Sequence, residues 1–342
     1  MPRLAIHFRM TTQSNHGPVL IEILQPSPYA PLPEPEPGWF DVSYAITGDG
    51  LLASLRSTCD VAGNWYRNVK AKDTARPLLT RNAMARLSIF DGMTEYGTIE
   101  FPLETAFPAF DIHRDGAWIV ASARCRPTDA NATLFSDTGQ AIDRFCLGDG
   151  IEHLQCDDHG NIWVGYFDEG VFGNDGWKLP GTKAPISMAG LVQFDPTGKV
   201  LWRLDDPSMA DCYALNVTRG TAWAYYYTDF PIVEIATATG RTKVRQTTVT
   251  GGHSLACDSQ GAMIVGGYSP DRDCITLLEF RDGVQNVARF RHALPSTFSD
   301  RASLCQARGN TLHIVQDGFW NQLTLDDVRV AAAQRMAKKS RY

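Results

Sequence analysis

Short runs of alternating apolar and polar residues, separated by clusters of Asp, Gly and Asn, recur along this 342-residue chain. The clearest example covers residues 151–173, where Leu154 and Cys156 alternate with polar neighbours before a turn-forming cluster at 157–161. A second alternating run follows at 162–166. A period of two indicates strands, and a cluster of turn residues between two such runs indicates a β-hairpin.

This hairpin recurs six times, each time with a glycine before its second strand. The glycines are Gly50, Gly116, Gly160, Gly220, Gly261 and Gly309. A second kind of hairpin lies between successive copies, at 87–101, 133–146, 191–204, 232–244 and 275–290. Four strands per unit, at intervals of 41–66 residues, are typical of a β-propeller. The sequence therefore predicts an all-β fold, a six-bladed β-propeller.

The last unit is one strand short, because it contains only the runs 302–306, 311–316 and 319–325. The isolated run at 17–24 is predicted to be its fourth strand, so that an N-terminal strand joins the last blade and closes the ring without an exposed edge. The predicted organisation is an N-terminal extension (1–16), one propeller (17–325, with a proline-rich surface connector at 25–38) and a short basic C-terminal tail (326–342) expected to form an exposed helix.

Composition narrows the classes of function. A net charge of −6 and a pI near 5.8 argue against a nucleic-acid partner, which normally meets a basic surface. No apolar run approaches the roughly 18 residues that span a bilayer, and the N-terminus lacks the features of a secretory signal. The eight cysteines are scattered without a CxxC pair, which favours free thiols and a cytoplasmic location.

The hairpin at 157–164 reads Asp-Asp-His-Gly-Asn-Ile-Trp-Val and resembles the repeats of the NHL, two-component-regulator and SMP-30/gluconolactonase-like propellers. The likeness covers residues 40–325 and concerns a folding signature more than chemistry. The last of these families implies a divalent cation held by glutamate, asparagine and aspartate in the channel. Here Cys212 beside Asp211 stands near the asparagine position, His253 stands at the aspartate position, and Glu152 lies in a different blade from the family's glutamate.

Candidate site residues follow from the repeat itself. Counting eight residues back from each hairpin glycine reaches the start of the innermost strand of each blade, where several blades carry polar groups instead of apolar ones. With their neighbours and one blade-joining loop, the predicted ligand-binding residues are Glu152, His153, Asp211, Tyr213, His253, Asp300, Arg301 and Asp168. The plainer alternative is that these are solvated residues of a wet channel, and no catalytic residue is assigned.

Two functions remain open at this point. Long loops at 58–82 and 167–189 are predicted to cover one channel mouth, which favours a recognition propeller that binds a small polar ligand or a partner protein beneath them. The alternative is a metal-assisted hydrolase or lactonase, with Glu152, Asp211 and His253 as the metal set. No cofactor motif is evident, so a divalent cation is the only cofactor considered.

Overall fold

The computed structural model describes residues 5–11, 19–61, 78–105, 107–113, 115–173, 177, 184–292 and 303–339, with the backbone alone for 5–11, 19–22 and 78–81. Within these residues, the strands form six antiparallel four-stranded units, one of them extended by two further strands. The first strand of each unit lines a common central channel. The chain is therefore a six-bladed β-propeller, as the sequence predicted.

Blades one to three contain, from the channel outwards, β4 (Phe40–Ile46), β5 (Leu52–Ser57), β6 (Leu78–Asp91) and β7 (Thr94–Thr105); β8 (Pro108–Ile112), β9 (Trp118–Ser122), β10 (Ala132–Phe135) and β11 (Ala141–Phe145); and β12 (Ile151–Cys156), β13 (Ile162–Tyr166), β14 (Leu191–Phe194) and β15 (Val200–Arg203).

Blade four contains β16 (Asp211–Thr218), β17 (Thr221–Tyr227), β18 (Ile232–Ala236) and β19 (Thr242–Arg245). Blade five contains β20 (Gly252–Cys257), β21 (Gly261–Gly266), β22 (Cys274–Phe280) and β23 (Val284–His292), followed on its outer edge by β2 (Val19–Gln25) and β1 (Ala5–Thr11). Blade six contains β24 (Leu304–Arg308), β25 (Thr311–Gln316), β26 (Phe319–Thr324) and β3 (Ser27–Pro31).

Burial follows the position of each strand within its blade. Every residue of β13 and β21 is buried, because the second strand is covered by the neighbouring blade on each face. The outermost strands β11 and β19 are mostly exposed, and their sequences are correspondingly polar. The core consists of apolar clusters between successive blades, such as the one that joins Trp163 of blade three to Tyr226 of blade four.

An N-terminal strand does close the ring, as predicted, but the closing strand is β3 rather than the run at 17–24. β3 pairs with β26, Ala30 lies opposite Trp320, and the Tyr29 ring meets the Trp320 ring edge-on at 4.7 Å between centroids. The run assigned to closure belongs to β2, which pairs in parallel with β23 of blade five. Proline suits an outermost strand because its missing N–H does not interrupt a ladder. Part of the segment predicted as a surface connector is therefore a strand.

The C-terminal tail is a helix, α2 (Leu325–Lys339), whose one face is buried, contrary to the prediction of an exposed helix. Val328 and Ala332, one turn apart on that face, pack into the apolar cluster between blades five and six. Thr324 and Asp327 exchange backbone-to-side-chain hydrogen bonds of 3.0 and 3.1 Å at the helix start, a capping-box arrangement. Arg329 Nη2 donates to Asp258 Oδ1 at 2.8 Å and ties the helix to blade five.

All eight cysteines are free thiols, in agreement with the sequence-based expectation. No helix among the described residues combines the length and apolar character needed to cross a membrane.

Candidate functional site

A single buried arginine closes the central channel. Arg308 is the last residue of β24, and its guanidinium reaches across the axis to groups on four other blades. It pairs with the Asp111 carboxylate of blade two, and it donates to the carbonyl oxygens of Ile46 (2.8 Å), Val217 (3.0 Å) and Cys156 (3.3 Å). The Arg308 side chain is 3% exposed. The channel is thus divided into two separate recesses.

Asp111 is held equally firmly at this crossing. Its Oδ2 accepts the Cys156 backbone N–H at 2.8 Å as well as the guanidinium, and its Oδ1 accepts the Ile112 N–H at 2.8 Å. Burial raises the pKa of Asp111, and the charge of Arg308 opposes that rise. A buried ion pair is stable only when its remaining hydrogen-bonding capacity is satisfied. Here backbone groups of several blades supply the missing partners.

The larger recess, which we call the mouth cavity, has a volume of about 580 Å³ and opens at the end of the channel where the innermost strands begin. The innermost strands of all six blades line it, and its polar walls include Ser43, Glu152, His153, His253, Ser254 and Gln306. Its volume lies within the range of about 300–1,000 Å³ that is usual for small-molecule sites. Its floor lies at the level of Arg308 and Asp111.

His153 is fixed in place by a bond between blades. Its Nε2 lies 3.1 Å from the Cys212 carbonyl oxygen of blade four, so this nitrogen carries the proton. Burial lowers the pKa of His153, although the Glu152 carboxylate and the backbone contacts oppose that effect. The imidazole is therefore neutral near pH 7 and presents its other nitrogen as a hydrogen-bond acceptor.

His253 lies against a glycine that makes room for its ring. A Cβ on Gly266 would stand 2.5 Å from His253 Cδ2 and 2.8 Å from Nε2, and Gly266 has a φ of +88°. Only glycine satisfies both the left-handed backbone and this close approach. The surrounding protein lowers the pKa of His253 to about 4, and the neighbouring His292 adds to the effect. His253 is thus a second neutral imidazole in the cavity wall.

A short helix, α1 (Asp168–Val171), carries an acidic residue to the same end of the channel. The preceding blade anchors this helix, because Arg124 Nη1 donates to Glu169 Oε2 at 2.5 Å while Arg124 Nε donates to the buried Asp149 at 3.1 Å. The guanidinium also lies 5.5 Å from the centre of the Phe167 ring. Asp168 is thereby held near blade four.

Three carboxylates from blades three and four interact at the cavity rim. The pKa of Asp211 is raised to about 7, first by burial and then by the charges of Asp168 and Glu152. A carboxyl group that titrates near neutrality can donate as well as accept a hydrogen bond there. This arrangement accords with the sequence-based expectation that Glu152, Asp168 and Asp211 face the same end of the channel.

Tyr213 belongs to an aromatic group beside the acids. Its hydroxyl lies 2.8 Å from that of Tyr268, and its ring stacks on Tyr227 and meets Phe230 edge-on. Tyr227 and Tyr268 are 42% and 48% exposed. The group forms a rim of amphipathic rings rather than a catalytic centre, and burial raises the pKa of Tyr213 above its ordinary range.

The predicted site residues thus fall into three sets. Glu152, His153 and His253 line the mouth cavity, whereas Asp168, Asp211 and Tyr213 belong to its surroundings. Asp300 and Arg301 lie outside the described residues, as does most of the predicted loop at 58–82. The described part of the chain contains no group of three His, Cys, Asp or Glu side chains placed to hold a metal ion. The metal set Glu152, Asp211 and His253 therefore gains no support and stays a hypothesis.

Sequence reasoning did not identify Arg308 and Asp111, although they form the cavity floor. A signal was present, because Arg308 directly precedes a hairpin glycine at a strand end where other blades carry Ile112 or Cys257. A charged residue at such a position has to find a partner within the channel.

Comparisons with known proteins support the fold class and go no further. A model described as the YxzG family matches residues 185–266, which is less than half of the chain. No curated protein shows significant similarity to the sequence.

Among solved structures, the chain is similar to a protein of the mitotic checkpoint complex, with a TM-score of 0.49 and 10% identity over 85% of this chain and 76% of that chain. It is similar to Kuenenia stuttgartiensis hydrazine synthase, with a TM-score of 0.49 and 11% identity over 83% of each chain. It is also similar to a catalytically inactive virginiamycin B lyase from Staphylococcus aureus bound to quinupristin, with a TM-score of 0.42 and 12% identity over 94% and 99% of the two chains. The protein is a β-propeller, a fold that commonly serves recognition through the loops around its channel.

Proposed function

We propose that this protein is a ligand-binding propeller that holds a small polar molecule in the mouth cavity. The observation that carries the proposal is the cavity itself, which is open at one end, closed by Arg308 and Asp111 at the other, and lined by polar groups from several blades. A recess of about 580 Å³ fits a small molecule better than a protein segment.

The wall chemistry favours a ligand with several hydrogen-bonding groups. Two neutral imidazoles, His153 and His253, offer nitrogen acceptors or donors, and Glu152 offers carboxylate oxygens. Asp211 at the rim can exchange a proton near pH 7. A hydroxyl-rich or amine-bearing molecule would satisfy these groups, whereas an apolar molecule would leave them unpaired at a cost of about 1–3 kcal/mol each.

A metal-assisted hydrolase of the gluconolactonase-like type ranks second. That reaction needs several ligands that converge on one cation, and the described residues contain no such group. The exposed rings of Tyr227 and Tyr268 would suit contact with a protein at the rim, but they do not form a recess of their own. Binding of a small molecule therefore remains the first proposal.

The test is a thermal-shift screen of the full chain against a library of polyols, sugars, amino acids and amines, with titration calorimetry on each hit. A ligand at 100 times its Kd stabilises the native state by about 2.7 kcal/mol, which raises the melting midpoint measurably. We expect Glu152→Gln and His253→Ala to weaken binding by at least about tenfold.

The matched control is His159→Ala, which alters an exposed histidine in the turn at the opposite end of blade three. This variant is expected to bind each hit as the parent does. The proposal fails if no compound of the library binds, or if the hits bind Glu152→Gln and His253→Ala with the affinity of the parent.

A further inference from the structure

A second, smaller pocket lies beyond Arg308, at the opposite end of the channel. It has a volume of about 140 Å³ and is formed by the turns that follow the innermost strands of blades one to four. Its wall includes Cys156 and Val217, whose carbonyl oxygens accept hydrogen bonds from Arg308 on the other side. We call it the turn-side pocket; its polar residues include Asp49, His113, Asp157, Asp158, Thr218 and Arg219.

His113 contributes a buried imidazole to this pocket. The residue is 4% exposed, and its Nε2 has no hydrogen-bond partner among the described residues. Its Nδ1 faces the turn of blade three, 3.2 Å from where a Cβ on Gly160 would stand. Burial lowers the pKa of His113, although three nearby aspartates oppose this, so the ring is neutral at pH 7. An unsatisfied buried nitrogen costs about 1–3 kcal/mol, which is a reason to expect a partner.

Asp158 supplies a second buried polar atom without a described partner. Its Oδ1 makes no hydrogen bond within the described part of the chain. The adjacent Asp157 differs, because its oxygens already accept the N–H groups of His159 (2.9 Å) and Asn161 (3.0 Å) and the Trp163 indole (3.0 Å). Asp157 therefore serves the turn, whereas Asp158 and His113 keep acceptor capacity for something else.

The charges of the wall select the chemistry of that occupant. Three carboxylates, Asp49, Asp157 and Asp158, face one guanidinium, Arg219, which is highly exposed and lies 3.9 Å from Asp49. An anion is therefore disfavoured. A divalent metal ion prefers several carboxylate or imidazole ligands at one point, and the described residues do not provide such a group. A neutral imidazole beside a carboxylate instead suits a cation that carries N–H donors.

We propose that the turn-side pocket binds a small primary ammonium compound, whose N–H groups donate to Asp158 Oδ1 and to His113 Nε2. The volume corresponds to about four or five water molecules at ~30 Å³ each, which admits methylammonium or a short alkylamine. Because Arg308 separates this pocket from the mouth cavity, the two sites are independent and the proposal stands apart from the function proposed above.

The experiment titrates the full chain with methylammonium chloride at constant ionic strength maintained with sodium chloride. Binding is followed through the NMR shifts of the His113 ring and through the melting midpoint. Tetramethylammonium chloride, which has the same charge and no N–H donor, is the chemical control. We expect methylammonium to shift the His113 signals saturably and tetramethylammonium to leave them unchanged.

Two variants locate the site, so that failure of one to fold does not end the test. His113→Phe keeps a ring of similar size without Nε2, and Asp158→Asn removes the charge. Each is expected to weaken methylammonium binding by about tenfold or more, since a charge-assisted hydrogen bond is lost. His159→Asn, in the same turn but exposed, and Glu152→Gln, in the mouth cavity, should bind as the parent does. The proposal is overturned if methylammonium does not bind, if tetramethylammonium binds equally well, or if Asp158→Asn binds with the parent's affinity.

Discussion

Arg308 and Asp111 are 197 residues apart in the sequence, yet they form a buried ion pair across the axis of the propeller. Arg308 belongs to blade six and Asp111 to blade two, and the guanidinium also bonds carbonyl oxygens of blades one, three and four. Five of the six blades therefore meet at one side chain. The pair fixes the innermost strands relative to one another and separates the mouth cavity from the turn-side pocket.

Replacement of Arg308 with methionine should destabilise the protein strongly. The change leaves the Asp111 carboxylate buried without its counter-charge, and breaking a buried pair in this way costs about 3–5 kcal/mol. The double variant Arg308→Met/Asp111→Leu should recover part of the loss, because no uncompensated charge remains. Urea unfolding of the three proteins measures these differences.

The control is Arg144→Met, which removes an exposed ion pair with Glu104 at 3.4 Å and should change the free energy of unfolding by less than about 1 kcal/mol. A loss of the same small size for Arg308→Met would show that the crossing does not stabilise the ring.

The blade pattern was predictable because its signals are local. Alternation within a strand and a glycine at the turn are readable over about ten residues, and six copies of Gly-marked hairpins give the blade count directly. The same periodicity placed Glu152 and His253 in one cavity, since equal offsets from the hairpin glycine correspond to equal depth in the channel.

Features that depend on pairing between distant segments were not predictable in the same way. The run at 17–24 has the stronger strand pattern, so it was preferred to the proline-rich β3 as the closing strand, although only β3 pairs with β26. A proline weakens the local strand signal without preventing an outermost strand. The ion pair of Arg308 with Asp111 likewise requires the distance between blades six and two, which no local pattern contains.

A charge at Ala30 tests the position of the closing strand. Ala30 is 4% exposed and lies opposite Trp320 in the last blade. Ala30→Asp should therefore lower the free energy of unfolding by about 2–4 kcal/mol, because it buries an unpaired carboxylate. Pro28→Asp, at an exposed position of the same strand, should cost less than about 1 kcal/mol. Equal tolerance of both changes in denaturant unfolding would place the closing strand elsewhere.

Gly266 is expected to position the His253 ring. Gly266→Ala places a Cβ 2.5 Å from that ring and strains a backbone with a φ of +88°. Gly220→Ala is the matched control, because its φ of +73° is equally left-handed but nothing lies within 4 Å of the added carbon. We expect Gly266→Ala to cost about 1–3 kcal/mol more than Gly220→Ala.

An NMR titration of His253 distinguishes displacement of this ring from a general loss of stability. The pKa of His253 is about 4 in the parent because the surrounding protein disfavours the charged ring. Displacement in Gly266→Ala should move this pKa upwards, towards the ordinary value for histidine, whereas Gly220→Ala should leave it unchanged. An unchanged pKa in both variants would contradict the positioning role.

Asp211 should make the stability of the protein depend on pH with a sign opposite to that of most carboxylates. Burial and the charges of Asp168 and Glu152 raise its pKa to about 7 in the native state, whereas an unfolded aspartate titrates near 4. Between these values the native state binds a proton that the unfolded state has lost. The contribution of Asp211 therefore falls as pH rises from about 4 to about 7.

Replacement with asparagine removes this titration. Relative to the parent, Asp211→Asn should gain about 1–3 kcal/mol between pH 4 and pH 8, measured as the difference in free energy of urea unfolding. Asp206→Asn provides the opposite sign. Although burial opposes it, hydrogen bonds from Tyr226 (2.5 Å) and Ser208 (2.7 Å) lower the pKa of Asp206, so this variant should lose stability relative to the parent as pH rises. If both differences change in the same direction with pH, the like-charge cluster around Asp211 does not exist in solution.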